Sequence, residues 1–81
     1  MYAKLFETEI GQLLVKQDTG DNGVEVRVFF EPEGYGVCSI SFDYKDDPED
    51  LQWEKTDKLF NEMTEEKCTK LIKTTLASLA V

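Results

Sequence analysis

The hydrophobic residues of this chain change their period near residue 45, and that change constrains the fold more than any other feature. Val24, Val26 and Val28 alternate with mostly polar side chains, which is the period of two of a half-buried β-strand. Residues 37–44 alternate in the same way. Because Pro32 and two glycines between these runs favour a chain reversal, the two runs predict a β-hairpin.

Two shorter runs of similar character precede this hairpin, at residues 2–8 and 12–17. Gly11 lies between them and can take the positive φ that a tight turn requires. Asn22-Gly23 is a favoured turn pair before the next strand. Since every connection is short, the sequence predicts an antiparallel meander of four strands. The expected strands are at about residues 2–8, 12–17, 24–31 and 37–44.

The second half of the chain follows a helical period. Asp47-Pro48-Glu49-Asp50 is typical of a helix start, with a carboxylate that can cap, a proline at the first helical position and acids near the positive end of the dipole. Thr64 is a second candidate cap before a regular apolar stripe. We expect two helices, at about residues 48–62 and 65–79, with one kinked helix as the alternative.

These elements predict a single two-layer α+β domain over residues 1–81, a four-stranded antiparallel meander sheet with two C-terminal helices packed on one face (ββββαα). The other face of such a sheet can remain in contact with water. Alternation directs Phe29 to that open face, together with Val37 and either Leu13 or Leu14. Several apolar groups on an uncovered face would mark a partner or dimer surface.

The negative charge of the chain is concentrated in its first part. The formal net charge is −8, and residues 1–50 hold 12 acidic and 4 basic side chains, whereas residues 51–81 hold 5 of each. Such a charge disfavours direct binding to nucleic-acid backbones and to anionic membranes, which need clustered Lys and Arg. It suits either plain solubility or docking to a basic partner.

The candidate partner-binding residues are a dense run of acids, two acids of a predicted turn and two residues of the open face. They are Asp43, Asp46, Asp47, Glu49, Asp50, Glu31, Glu33, Arg27 and Phe29. Solvated turns and a helix start explain part of this pattern without any partner. Its concentration in one half of the chain favours an acidic surface that docks a basic protein, where charge sets the association rate and specificity.

Residues suited to catalysis or metal binding are sparse. The chain has no histidine, which is the usual general base and the commonest zinc ligand. The loop from Asp18 to Gly23 has the composition of a calcium loop, but Gly20 stands where an EF-hand needs an oxygen ligand. Cys38 and Cys68 have no C-x-x-C spacing and are expected to be free, buried thiols. We therefore expect no enzymatic activity, no catalytic residue, no metal and no cofactor.

These features predict a small acidic interaction module that binds a protein partner with a basic surface. No apolar run reaches the roughly 18 residues of a membrane span, and the N-terminus lacks the apolar core of a signal peptide, so a cytoplasmic location is expected. In size and acidity the chain resembles the small inhibitors that phages and mobile elements use against host machinery. Three alternatives stay open: an inhibitor of that type that mimics nucleic acid, a small-ligand-binding domain, and a homodimer.

Overall fold

Four strands and two helices make up the fold in a computed structural model, which describes residues 2–32, 34 and 36–79. The elements are β1 (Tyr2–Thr8), β2 (Gly11–Gly20), β3 (Gly23–Phe30), β4 (Cys38–Asp43), α1 (Glu49–Glu62) and α2 (Glu65–Leu79). The strands form one antiparallel sheet in the order β1-β2-β3-β4. The predicted ββββαα fold is confirmed, and both helices pack on the same face of the sheet.

The register of the sheet determines which side chains face the helices. Val15 pairs with Val28 and Gln17 pairs with Val26, and all four side chains are completely buried. The buried core extends from these strands to the helices. Its apolar members are Leu13, Val15, Val26, Val28, Phe30, Phe60, Met63, Cys68 and Ile72. The alternation seen in the sequence therefore marks the helix-facing side of the sheet correctly.

The first two hairpin turns share one design. Each has two turn residues followed by a glycine with positive φ, which is 108° at Gly11 and 94° at Gly23. This is typical of a type I turn with a G1 bulge. Gly20 pairs with Gly23, so β2 continues to Gly20. The predicted end of this strand at residue 17 is therefore wrong, because the tight turn lets Asp18 and Thr19 pair with β3.

Gly11 and Gly23 provide a matched test of these turns. Gly11→Ala should lower the free energy of unfolding by about 1 kcal/mol through backbone strain alone, because a methyl group there meets no atom of the described residues within 4 Å. Gly23→Ala should lower it by about 2 kcal/mol or more, because its methyl group would also collide with the Gln52 amide oxygen. Urea denaturation of both variants measures the difference. Equal losses would contradict this interpretation.

The two helix starts differ from each other. Pro48 is the N-cap residue of α1 and not, as predicted, its first helical residue. Within the described residues no side chain caps that helix, so the prediction that Asp47 caps it is also wrong. The Asp47 carboxylate instead accepts a 2.7 Å bond from Lys55. At α2 the Lys67 amide donates to Thr64 Oγ1 at 3.2 Å, as predicted. The extended backbone of Met63 separates the two helices, so the alternative of one kinked helix is wrong.

The C-terminal end of α1 is closed by a side chain from the other end of the sequence. Lys4 Nζ of β1 donates to the carbonyl oxygens of Phe60 and Met63, the latter at 3.1 Å. The same ammonium group lies 4.4 Å from the centroid of the Phe60 ring. The last turn of α1 contains no Lys or Arg of its own. Lys4 therefore supplies the positive charge that a helix C-terminus favours.

Candidate functional site

Eight carboxylates surround one end of the sheet, where the β2–β3 turn, the end of β4 and the start of α1 meet. Register pairs Asp18 with Glu25 and Glu25 with Asp43, which aligns these acids across three strands. Asn22 Nδ2 donates to Asp43 Oδ2 at 3.5 Å, so the β2–β3 turn lies beside β4. We call this region the acidic end. Its acids are Asp18, Asp21, Glu25, Asp43, Asp46, Asp47, Glu49 and Asp50.

The side chain of Gln52 joins the two acidic segments. Its amide oxygen accepts a 3.0 Å hydrogen bond from the Val24 backbone N–H, and its Nε2 donates to the Asp47 carbonyl at 2.7 Å. The first turn of α1 is thereby fixed against the start of β3. The structure thus brings Asp18 and Asp21 next to the five acids predicted between residues 43 and 50, an association that the sequence analysis missed.

The acidic end retains most of its charge. Glu25 pairs with Arg27 at 2.5 Å, and Asp47 pairs with Lys55 at 2.7 Å. The hydrogen bond to Glu25 raises the pKa of Arg27 above its ordinary value. Four other acids of this end have exposed side chains: Asp21, Asp46, Glu49 and Asp50. A partner that approaches this end therefore meets an accessible negative surface.

The open face of the sheet carries a row of apolar side chains. Leu5 pairs with Leu14 and Leu14 pairs with Phe29, so the three lie side by side across β1, β2 and β3. Val37 lies just before β4 and borders the same shallow groove, which has a volume of ≈ 390 Å³. Leu5 is 59% exposed and Val37 is 70% exposed. We call these four residues the apolar row.

The predicted candidate residues divide between these two surfaces. The five acids from residue 43 to residue 50 lie at the acidic end, whereas Phe29 belongs to the apolar row, as predicted for the open face. Arg27 is on the open face and donates to Ser39 Oγ at 3.1 Å. Glu31 borders the groove on the side away from the acidic end. Glu33 lies outside the described residues. Of the two leucines that alternation left open, Leu14 faces outward and Leu13 is buried.

A second group of acids lies between the β1–β2 turn and α2, and it is mixed with lysines. Its charged residues are Glu7, Glu9, Glu65, Glu66, Lys70 and Lys73, which line a groove of ≈ 640 Å³. Glu9 forms an ion pair with Lys73, and the hydrogen bond from Lys73 lowers the pKa of Glu9. Opposite charges are thus interspersed here, which makes this region less negative than the acidic end.

The next feature is the placement of the cysteines and acids relative to one another. Across residues 2–32, 34 and 36–79, no group of three or more His, Cys, Asp or Glu is placed to hold a metal ion. Cys38 and Cys68 are free thiols, as predicted, but Cys38 is only half-buried, so the prediction that both are buried is wrong for that residue. Cys68 is buried in the core, where its Sγ lies 3.8 Å from the Met63 sulfur. Burial raises the pKa of the Cys68 thiol, which disfavours the reactive thiolate.

Two further findings concern the chain as a whole. Within the described residues, neither helix combines the length and apolar character that crossing a membrane requires. Comparison with protein-family models, with curated protein sequences and with solved structures finds no match to this chain.

Proposed function

We propose that this protein is a small non-enzymatic interaction module, which binds a partner protein with a basic surface through its acidic end. The observation that carries this proposal is the convergence of the β2–β3 turn and the β4–α1 segment, which Gln52 holds together. Two segments far apart in sequence thereby contribute to one negative surface. Such a surface raises the local concentration of a cationic partner and orients its approach.

The geometry of the acidic end suits docking of a protein surface. Its charges lie on a turn, on strand ends and on the first turn of a helix, and Asp18, Asp21 and Glu25 line an open groove of ≈ 300 Å³ there. Asp21, Asp46, Glu49 and Asp50 are exposed there and can each meet a Lys or Arg of a partner. We place this interaction in the cytoplasm, where Cys38 and Cys68 would persist as the free thiols that the structure contains.

Removing charge from the acidic end should weaken partner binding at least tenfold. The test variant combines Asp46→Asn, Glu49→Gln and Asp50→Asn, and it is compared with the wild type in affinity capture from lysate of the source cells. A captured partner is then purified, and its Kd is measured by calorimetry. We expect the wild-type Kd to rise with salt between about 50 and 500 mM, because salt screens exposed charge pairs.

A matched control separates the position of the charge from its amount. The control variant combines Glu62→Gln, Glu65→Gln and Glu66→Gln. It has the same net charge as the test variant, but the acids are removed where α1 ends and α2 begins. Each triple variant also removes two acids from the first turn of a helix, so the loss of dipole stabilisation is comparable. The control should bind the partner within about twofold of the wild type. Equal weakening by both triple variants, or no effect of either, would sink the proposal.

A further inference from the structure

A cleft lies between the start of β1 and α1. It has a volume of ≈ 340 Å³, which is at the lower end of the range of small-ligand sites, and Tyr2, Gln17, Asp57, Phe60 and Asn61 line it. The rings of Tyr2 and Phe60 form an aromatic wall, with their centroids 6.2 Å apart. None of these residues belongs to the acidic end or to the apolar row.

The floor of this cleft is the side chain of Gln17, which carries an oxygen without a partner. Gln17 is completely buried, and its Nε2 donates to both Thr56 Oγ1 and Asp57 Oδ1, which uses both N–H groups. The reverse orientation of the amide would set its oxygen against the Asp57 carboxylate. Within the part of the chain that the structure describes, Gln17 Oε1 accepts no hydrogen bond. Because an unpaired buried acceptor is costly, this oxygen indicates a ligand that brings an N–H donor.

The charge of the cleft favours a cationic ligand. Of the described residues that line it, only Asp57 is charged, and the Asp57 carboxylate can accept further hydrogen bonds beside the one from Gln17. Lys4 shows that a cation is stable against the aromatic wall, since its ammonium group lies 4.4 Å from the Phe60 centroid. That ammonium donates to the carbonyl oxygens of Phe60 and Met63, so the charge of Asp57 is left for a ligand.

We propose that this cleft binds a guanidinium group. A guanidinium ion is planar, so it can lie against the Tyr2 ring, and its several N–H groups can donate to Gln17 Oε1 and to the Asp57 carboxylate together. The side chain that gives way to admit it is Tyr2, which pairs with Gln17 in register and is 61% exposed. The cleft shares no residue with the acidic end, so this proposal and the proposed function fail independently.

Three ligands with the same alkyl chain test the chemistry of the cleft by NMR titration of ¹⁵N-labelled protein. The planar cation n-butylguanidinium should cause saturable shifts of the side-chain amide signals of Gln17 and Asn61, with a Kd on the order of 1 mM for a ligand of this size. We expect n-butylammonium, which has no flat face, and n-butylurea, which has no charge, each to bind at least tenfold more weakly. The proposal is overturned if n-butylguanidinium causes no saturable shift of Gln17 up to about 50 mM, or if either other compound binds equally well.

Asp57→Asn tests the position of the charge. The new side-chain oxygen can still accept the hydrogen bond from Gln17, so the fold should persist, whereas the Kd of n-butylguanidinium should rise at least tenfold. Glu62→Gln removes one charge from an exposed position of the same helix that does not line the cleft, and it should leave the Kd within about twofold. Circular dichroism of both variants checks their fold. Equal effects of the two variants would show that only the net charge attracts the ligand, and the site would be wrong.

The guanidinium group can belong to a free small molecule or to an arginine side chain of a protein. An acetylated and amidated tripeptide with arginine between two glycines distinguishes these sources, and the same peptide with citrulline is its neutral control. Binding of the arginine peptide as tight as that of n-butylguanidinium, with loss of binding for citrulline, assigns the cleft to an arginine side chain. Binding of n-butylguanidinium without binding of the peptide assigns it to a free compound.

Discussion

Replacing Gln17 with glutamate should lower the free energy of unfolding by about 3–4 kcal/mol at pH 7, because the new carboxylate would be buried without a cation. Gln17 is a polar residue with no exposed surface, and it lies on the same strand as the core residues Leu13 and Val15. Its Nε2 donates to Thr56 Oγ1 at 2.9 Å and to Asp57 Oδ1 at 2.7 Å, both on α1. Gln17→Glu would replace that donor with an acceptor and set two carboxylates side by side.

The control for this substitution is Gln17→Met, which removes the same hydrogen bonds without burying a charge. Among the described residues Gln17 Oε1 has no hydrogen-bond partner, so methionine also removes an unpaired acceptor. We expect Gln17→Met to cost about 1–2 kcal/mol. Urea denaturation of both variants at pH 7 measures the difference. Equal stabilities would show that the environment of Gln17 tolerates a carboxylate.

The pH dependence of the two variants provides an independent check. Burial and the neighbouring Asp57 should raise the pKa of the introduced glutamate in the folded state above its unfolded value of about 4.3. Folding favours the protonated form of such a group. The free energy of unfolding of Gln17→Glu, relative to that of Gln17→Met, is therefore highest below about pH 4.3. That relative stability should fall as the pH rises through the raised pKa. A difference that is constant between about pH 4 and 7.5 would contradict this mechanism.

Strong periodicity explains why most of the fold could be predicted from the sequence. The alternation around Val26 is compatible only with a strand that buries one face. The stripe that includes Cys68 is compatible only with a helix that buries one face. Thr64 could also be identified as a cap, because its hydrogen bond to Lys67 is local in sequence. Each of these features depends on neighbours within a few residues, which a single sequence displays.

The features that the sequence analysis missed depend on contacts between distant residues. The sequence pattern predicted Asp47 as a helix cap, but its carboxylate pairs with Lys55, which lies eight residues further along the chain. The acids at the start of α1 join the acidic end because Gln52 binds the start of β3, and no local pattern indicates that contact. A correct prediction of the length of β2 would have indicated part of the acidic end, since pairing up to Gly20 places Asp18 opposite Glu25.

Lys4 is the clearest case of such a distant contact, and its role can be measured. Lys4→Met should lower the free energy of unfolding by about 2 kcal/mol, because the carbonyl oxygens of Phe60 and Met63 would lose a charged donor. Methionine preserves much of the aliphatic stem, so the loss reports mainly on the ammonium group. Chemical denaturation of the variant and the wild type under identical conditions measures this loss.

A conservative replacement and a local readout distinguish this helix-capping role from general packing. Lys4→Arg retains a cation that can reach the same carbonyl oxygens, so it should cost less than about 1 kcal/mol. Amide hydrogen exchange should become faster in the last turn of α1 in Lys4→Met, because that turn would fray once its carbonyl groups lose their partner. Exchange in α2 should change little, since Thr64 caps α2 independently of Lys4. Equal stabilities of Lys4→Met and Lys4→Arg would contradict this role of the charge. They would show that the aliphatic part of the Lys4 side chain alone holds α1 to β1.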